Sequence, residues 1–182
     1  IQPLLLVGID ADEKTDYGIA DLAGSVQREG SKADKYSNFV MNELYPFIKK
    51  KTKIRKFKSV AIAGSSLAGI AAFDIAWDNA DKIERAGMFS GNFDYSKTSD
   101  TVNPVLQYFQ SSRKRPKLDC WFYAGMQGDS SIFKNTQLFT SLLQKKNTGF
   151  ITGIQFVADK NSGNDGIAWR HHFAEFLLWA FA

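Results

Sequence analysis

The strongest constraint in this sequence is an alternation that runs from one end to the other. Short apolar runs of strand length alternate with longer stretches whose apolar residues keep helical spacing. Residues 4–9, 59–63, 85–89, 118–124 and 150–157 read as strands. Residues 33–50, 67–79, 131–146 and 166–181 read as helices, with a further short helix interrupted near Pro104. In the first helix Tyr36, Phe39, Val40, Leu44, Phe47 and Ile48 share one face, and Pro46 is expected to kink or loosen its last turn. Residues 10–32 are polar, contain Gly18, Gly24 and Gly30, and read as a long loop. Strand and helix in this order predict a three-layer α/β sandwich: a mostly parallel sheet, right-handed crossovers and helices on both faces. In such a sheet the chemistry belongs to the loops at the carboxyl ends of the strands.

Length and composition fit one domain. The 182 residues are 44% hydrophobic, which is enough for a sizeable core and argues against disorder. The most apolar stretch, residues 173–182, is interrupted by Glu175 and is far shorter than the ~20 residues of a membrane span. The net charge of +4 suggests an acidic partner until it is located. Residues 49–58 hold seven of the 23 cations and no acid, and the rest of the chain is net negative. That run reads as a solvated turn at a helix end, where cations complement the helix dipole, so nucleic acid is not favoured. Cys120 is the single cysteine, so neither an internal disulfide nor a cysteine metal cluster is expected. His171 and His172 are adjacent, not three or four apart, so they are not a metal pair on one helix face. Trp77, Trp121, Trp169 and Trp179 fall on expected helices or strands, where core packing is their default. The chain opens on Ile1-Gln2-Pro3 without a signal-peptide pattern and reads as one joined mid-course.

One turn stands out. Gly64-Ser65-Ser66-Leu67-Ala68-Gly69 joins an expected strand to an expected helix, the context of a nucleophile elbow. The residues two before and two after such a nucleophile must be small, and here they are Gly64 and Ala68. Ser66 would present its hydroxyl above the sheet. The Leu67 backbone N–H would be one oxyanion donor, helped by the positive end of the helix. The same residues also suit a serine that caps the helix, or a phosphate-cradling turn.

These residues do not stand alone. Phe89-Ser90-Gly91 follows the next strand, and Trp169, Phe173, Glu175, Phe176 and Leu177 mark the last helix. Val7-Gly8-Ile9-Asp10 with Asp16-Tyr17, and Glu43-Leu44-Tyr45-Pro46-Phe47-Ile48, precede the elbow. In this order they resemble the putative-esterase branch of the α/β-hydrolase superfamily, which includes esterase D-like, siderophore and feruloyl esterases. The resemblance covers nearly the whole chain as a single α/β-hydrolase-like domain, residues 1–182, that lacks the N-terminal strands of the family.

The resemblance implies a triad in the order serine, acid, histidine, with no metal or organic cofactor. Ser66 matches the nucleophile. Asp129, the carboxylate of the Gly125-Met126-Gln127-Gly128-Asp129 loop, matches the acid, although it also suits the cap of the next helix. The histidine belongs five residues before the tryptophan of the last helix, and that position is Asn164. An amide cannot shuttle a proton, so the resemblance implies an inactive or very slow ester hydrolase. His171 and His172 lie about two helical turns beyond that loop, roughly 10 Å away, and are poor substitutes. The second oxyanion N–H comes from the loop after the family's third strand, for which this chain offers no candidate. The alternative is a non-catalytic module that holds a small ester or acyl-sugar ligand on a hydrolase scaffold.

Overall fold

The computed structural model describes residues 3–12, 15–19, 31–91, 104–146 and 153–182. The elements in chain order are α1 (Ala33–Asn38), a π-helical stretch (Phe39–Leu44), α2 (Tyr45–Thr52), β1 (Ala61–Ser65), α3 (Ser66–Asp78), β2 (Arg85–Phe89), α4 (Pro104–Ser111), β3 (Asp119–Gly125), α5 (Ser130–Lys146), β4 (Gly153–Asp159) and α6 (Gly166–Phe181). The four strands form one parallel sheet in the order β1-β2-β3-β4. Each strand therefore lies beside its successor. Right-handed crossovers that always advance in one direction put their helices on one face. The packing agrees: α3, α4 and α5 share one core cluster, and α6 closes the opposite face.

Alternation along β3 divides its side chains between the two layers. Cys120 and Phe122 enter the larger cluster with Phe73, Trp77, Phe109 and Phe139. Trp121 and Tyr123 enter the smaller one with Phe89, Phe176 and Ala180. Phe73 meets the Phe109 and Phe139 rings edge-on at 5.0 and 5.1 Å. Each such buried side chain contributes about 1.5–3 kcal/mol of transfer free energy. Helix α3 is apolar nearly all round and is buried from Gly69 to Trp77, as a helix with no polar face must be. Gly87 of β2 has a spatial role: a Cβ there would run into the Phe176 ring of α6. Cys120 is wholly enclosed in this sheet, and burial pushes its thiol pKa far above the ordinary value.

Two expectations need correction. Residues 4–9 are not a strand. They run as an extended apolar segment with Leu5 and Leu6 51% and 62% exposed. A strand exists only through its ladder of backbone bonds, and among the described residues this segment has none. Between it and β1 lies a cleft of about 1070 Å³. The first helix is also not a plain α-helix with a kinked end. Pro46 sits in the first turn of α2, directly after the π-helical stretch. A wide turn at that point absorbs the backbone bond that proline cannot donate. The second strand begins two residues later than expected and runs to Ser65, so the elbow follows it without a gap. The fifth expected strand is β4, which begins at Gly153; residues 150–152 of that expectation lie outside the described residues.

The basic run falls where the dipole argument places it. Lys49, Lys50 and Lys51 occupy the last turn of α2, and Lys53 ends it in the left-handed conformation, φ 59°. Among the described residues no helix is long and apolar enough to cross a membrane.

Candidate active site

The elbow is built from strain and lack of space. Ser66 is the first residue of α3 and has φ 52°, a left-handed conformation that non-glycine residues rarely adopt. The chain reverses so sharply there that a Cβ on Gly64 would press into the Ala68 carbonyl and the Gly69 nitrogen at under 3.0 Å. A Cβ on Gly69 would stand 3.0 Å from the Gly64 carbonyl oxygen. Ala68 is half-buried and lines the cleft beside β1. Ser66 is half-buried and Leu67 is buried. Ser65 precedes the helix in extended conformation and makes no side-chain capping bond, so helix capping does not account for the pair of serines.

A second strained serine follows β2. Ser90, also at φ 52°, is buried and donates its backbone N–H to the Tyr123 carbonyl at 2.7 Å. Its hydroxyl donates to Asn164 Oδ1 at 2.7 Å and accepts from Trp169 Nε1 at 2.8 Å. Asn164 Oδ1 accepts again from the Gly125 N–H at 2.8 Å, while Asn164 Nδ2 donates to the Gly125 carbonyl at 3.0 Å. The amide of Asn164 thus pairs with both backbone groups of one residue, Gly125, and ties the ends of β2 and β3 to the loop that enters α6. Gly125 must be glycine for this, because a Cβ would meet the Ser162 and Gly163 carbonyls. Among the described residues no hydrogen bond joins Asn164 to Ser66 or to Asp129.

Asp129 is exposed. Its Oδ1 accepts from the Ser131 N–H at 2.8 Å at the start of α5, and that bond holds its carboxyl below the usual range. Asp129 therefore makes the helix-capping contact that its position allowed. Asp165 does the same for α6, accepting from Ile167 and Ala168 at 3.0 Å each. The loop between β4 and α6 is fastened further by Tyr123, whose hydroxyl donates to the Gly163 carbonyl at 2.9 Å. Burial, with help from Asp159, pushes the Tyr123 pKa up to about 12, so this donor keeps its proton.

The two histidines part company. His171 faces solvent, while His172 lies over the Tyr123 ring at 4.5 Å. His172 Nε2 is 3.1 Å from Asp159 and Nδ1 is 2.8 Å from Glu175. Both ring nitrogens are occupied, so His172 is committed to holding α6 on β4 and not to proton transfer at Ser66. Burial works against its charge, but the bonds to Glu175 and Asp159 prevail and raise its pKa. The Asn161 backbone N–H, Ser162 and His172 lower Asp159 to about 2. The His172 contribution is full below the ordinary histidine value of about 6.5 and fades as pH rises through the raised value. The Asp159 contribution is present above the ordinary carboxylate value of about 3.9 and fades as pH falls toward 2. The junction is thus firmest in mildly acidic solution. Melting temperature is expected to fall between pH 6 and pH 9, and the fall should flatten in His172→Phe, which keeps the ring contact without the charge. Parallel curves for the two proteins would contradict this assignment.

Ser90, Gly125 and Trp169 stand out in the sequence only as motif residues and His172 only as a poor substitute base, Asp159 does not stand out at all, and none of their mutual bonds is foreseen there. For His172 a signal was present, since Glu175 stands three residues on and shares its helix face. For Ser90 and Gly125 the bonds are tertiary and leave no local mark.

Comparison with known proteins reaches the same architecture. No protein of curated function matches the sequence significantly. The fold is similar to that of the Shigella flexneri enterobactin esterase FES, crystallised with 2,3-dihydroxy-N-benzoyl-glycine, at TM-score 0.68 and 16% identity over 81% of this chain and 38% of that one. It is also similar to the siderophore hydrolase EstB of Aspergillus nidulans, at TM-score 0.71 and 11% identity over 92% of this chain and 64% of that one. A ferulic acid esterase matches at TM-score 0.64 and 18% identity over 80% of this chain and 60% of that one. The chain thus spans less than two thirds of the length of each of these proteins. The sequence matches the family described as Putative esterase over residues 1–180. With the parallel α/β-hydrolase-like sheet and that match over nearly its full length, the chain belongs to the Putative esterase family.

Proposed function

We propose that this chain is a serine-type carboxylic-ester hydrolase scaffold whose turnover is very slow, because an amide stands where the general base is needed. Ser66 is the nucleophile position, Asp129 the acid position and Asn164 the position of the missing histidine, with the Leu67 N–H as one oxyanion donor. The observation that carries the reading is the left-handed Ser66, wedged between Gly64 and Gly69 at the carboxyl end of β1. Strain of this kind at a serine is held only where the surrounding structure over-determines it, and it projects the hydroxyl away from the sheet. In a working site the histidine would take the Ser66 proton and return it to the leaving group, with the acid orienting the ring. Among the described residues no base is hydrogen-bonded to Ser66. Oriented donors alone leave a residual acceleration of roughly 10³–10⁴ over water.

Hydrolysis of p-nitrophenyl acetate tests this. The wild type should show a weak rate that Ser66→Ala removes. A rapid wild-type rate lost in Ser66→Ala would mean that another base serves the serine. A weak rate unchanged in Ser66→Ala would remove the serine from the account.

A second reading is favoured by the Asn164 clamp. A residue bonded on both sides to Gly125 and to Ser90 stiffens the site and does no chemistry. That suits a module that binds an ester or acyl-sugar ligand without consuming it. Saturable binding of such a ligand, unaltered after hours of incubation, would distinguish it from a slow enzyme.

A further inference from the structure

We propose that the face formed by the amino-terminal ends of the strands docks on an anionic lipid bilayer and holds the Ser66 end of the sheet toward water. The proposal does not depend on whether Ser66 turns over an ester. In a parallel sheet every strand is entered from the same end, and here the entries are level: Ala61, Arg85, Asp119 and Gly153 are register partners across the four strands. Residues 49–58, 78–85 and 113–119 lead into β1, β2 and β3. Together they hold 13 of the 23 cations and four of the 19 acids, which leaves ten cations against 15 acids in the rest of the chain. The charge is thus divided along the strands. Asp129, Asp159 and Asp165 stand at the opposite pole, where β3 and β4 end.

Three of the four acids on the basic face are held by two cations. Lys114 Nζ is 2.6 Å from Asp78, and Arg85 is 3.6 Å from Glu84 and 4.0 Å from Asp119. Among the described residues no carboxylate lies within ion-pair distance of the seven cations of residues 49–58, or of Arg113, Arg115 or Lys117. All of these except the half-buried Lys49 are exposed. Strands β1 and β3 are two spacings apart, about 10 Å, so the two basic segments act as one patch. The seven residues of β3 separate that patch from the acidic pole by about 20 Å, well beyond the screening length of about 8 Å at physiological salt. The acids therefore leave the patch uncancelled, and their repulsion from an anionic plane sets the orientation. Residues 113–117 enter β3, two strands in from the open edge of β1, so the patch is not a product of that opening.

The kinds of side chain favour a bilayer over a nucleic acid. Lysine outnumbers arginine six to one in residues 49–58. Lysine is a compact point charge without the fork that grips phosphates and bases in pairs. A lysine face responds to the potential of a charged plane. Lys49, Lys50, Lys53 and Arg55 line a shallow depression of about 370 Å³ together with Ile54. An aliphatic side chain ringed by cations matches the boundary between headgroups and acyl chains, and it cannot stack on a base as an aromatic ring does.

The probe is a sucrose-loaded vesicle of about two parts phosphatidylcholine to one part phosphatidylserine, sedimented with the full chain. Co-sedimentation is expected, with none on pure phosphatidylcholine. Partition should fall at least tenfold between about 0.1 M and about 1 M salt, as the screening length shrinks from about 10 to about 3 Å. Each cation near such a surface raises partition about fivefold. Reversing three charges in either segment should therefore lower it more than tenfold, both in Lys50→Glu with Lys53→Glu and Arg55→Glu and in Arg113→Glu with Arg115→Glu and Lys117→Glu. The triple variant Lys134→Glu, Lys160→Glu and Arg170→Glu makes the same change in net charge at exposed positions away from the patch, and should retain most of the partition. If a variant does not fold, amine footprinting of the wild type decides: vesicles should slow methylation of Lys50, Lys53, Lys56 and Lys117 and leave Lys134 and Lys160 unchanged. Equal sedimentation with neutral vesicles, partition insensitive to salt, equal loss in all three triple variants, or protection of Lys134 and Lys160 would each overturn the proposal. Displacement from the vesicles by duplex DNA at equal phosphate concentration would reassign the face to nucleic acid.

Discussion

Asn164→His is expected to raise Ser66-dependent hydrolysis of p-nitrophenyl acetate by about 10²–10⁴-fold, the usual contribution of a positioned general base. The gain comes with a structural loss. Asn164 accepts from Ser90 and Gly125 and donates to Gly125, and an imidazole cannot reproduce this paired contact with both backbone groups of one residue. Leaving the Gly125 N–H without its partner at a half-buried site costs about 1–3 kcal/mol. Activity should therefore rise while thermal stability falls. The two readouts separate two failures. A folded variant with no gain in rate would show that a ring at this position does not reach Ser66. An unfolded one would show only that the clamp is indispensable, and Asn164→Asp, which keeps the acceptor and loses the donor, then measures the clamp by itself.

Gly64→Ala is expected to be among the most damaging single-methyl changes in the chain. Its Cβ would press on the Ala68 carbonyl and the Gly69 nitrogen, which are backbone atoms of α3 with no rotamer to escape into. Overpacking ordinarily costs about 1–3 kcal/mol, and rigid neighbours put this site at the upper end. For a chain of this length about 3 kcal/mol lowers the melting temperature by roughly 6–12 °C. The same methyl group should also disturb Ser66, so residual ester hydrolysis should fall together with stability. Calorimetry and the p-nitrophenyl acetate rate test both. Wild-type stability in Gly64→Ala would mean that the turn is looser than its spacing indicates.

Periodicity made most of this fold readable. Helical spacing located α3, α5 and α6 to within a residue of each end, because each buries a long apolar surface. It failed at residues 4–9, whose Leu-Leu-Leu-Val-Gly-Ile run is as apolar as a strand but pairs with no strand among the described residues. Apolarity is a property of the segment; a ladder is a property of two. The sharp turn at Ser66 was legible because its demand for small residues is local. What Asn164 does was not legible, since its partners Ser90 and Gly125 stand 74 and 39 residues away. Asp129 shows the converse: a residue whose local and functional readings need the same position, and whose observed bond to Ser131 satisfies the local one.

The enclosed Cys120 has a practical consequence. The chain has a single thiol, and it lies in the central part of the sheet against Phe73 and Phe139 territory, not near an edge or a loop. Fraying of α6 or excursions at the β1 edge leave it covered. A thiol reagent can reach it only when β3 separates from the helical layer, which is to say when the domain comes apart as a whole. Its rate of modification under native conditions therefore serves as a clock for global opening. At constant pH that clock needs no engineered probe and no catalytic activity to follow.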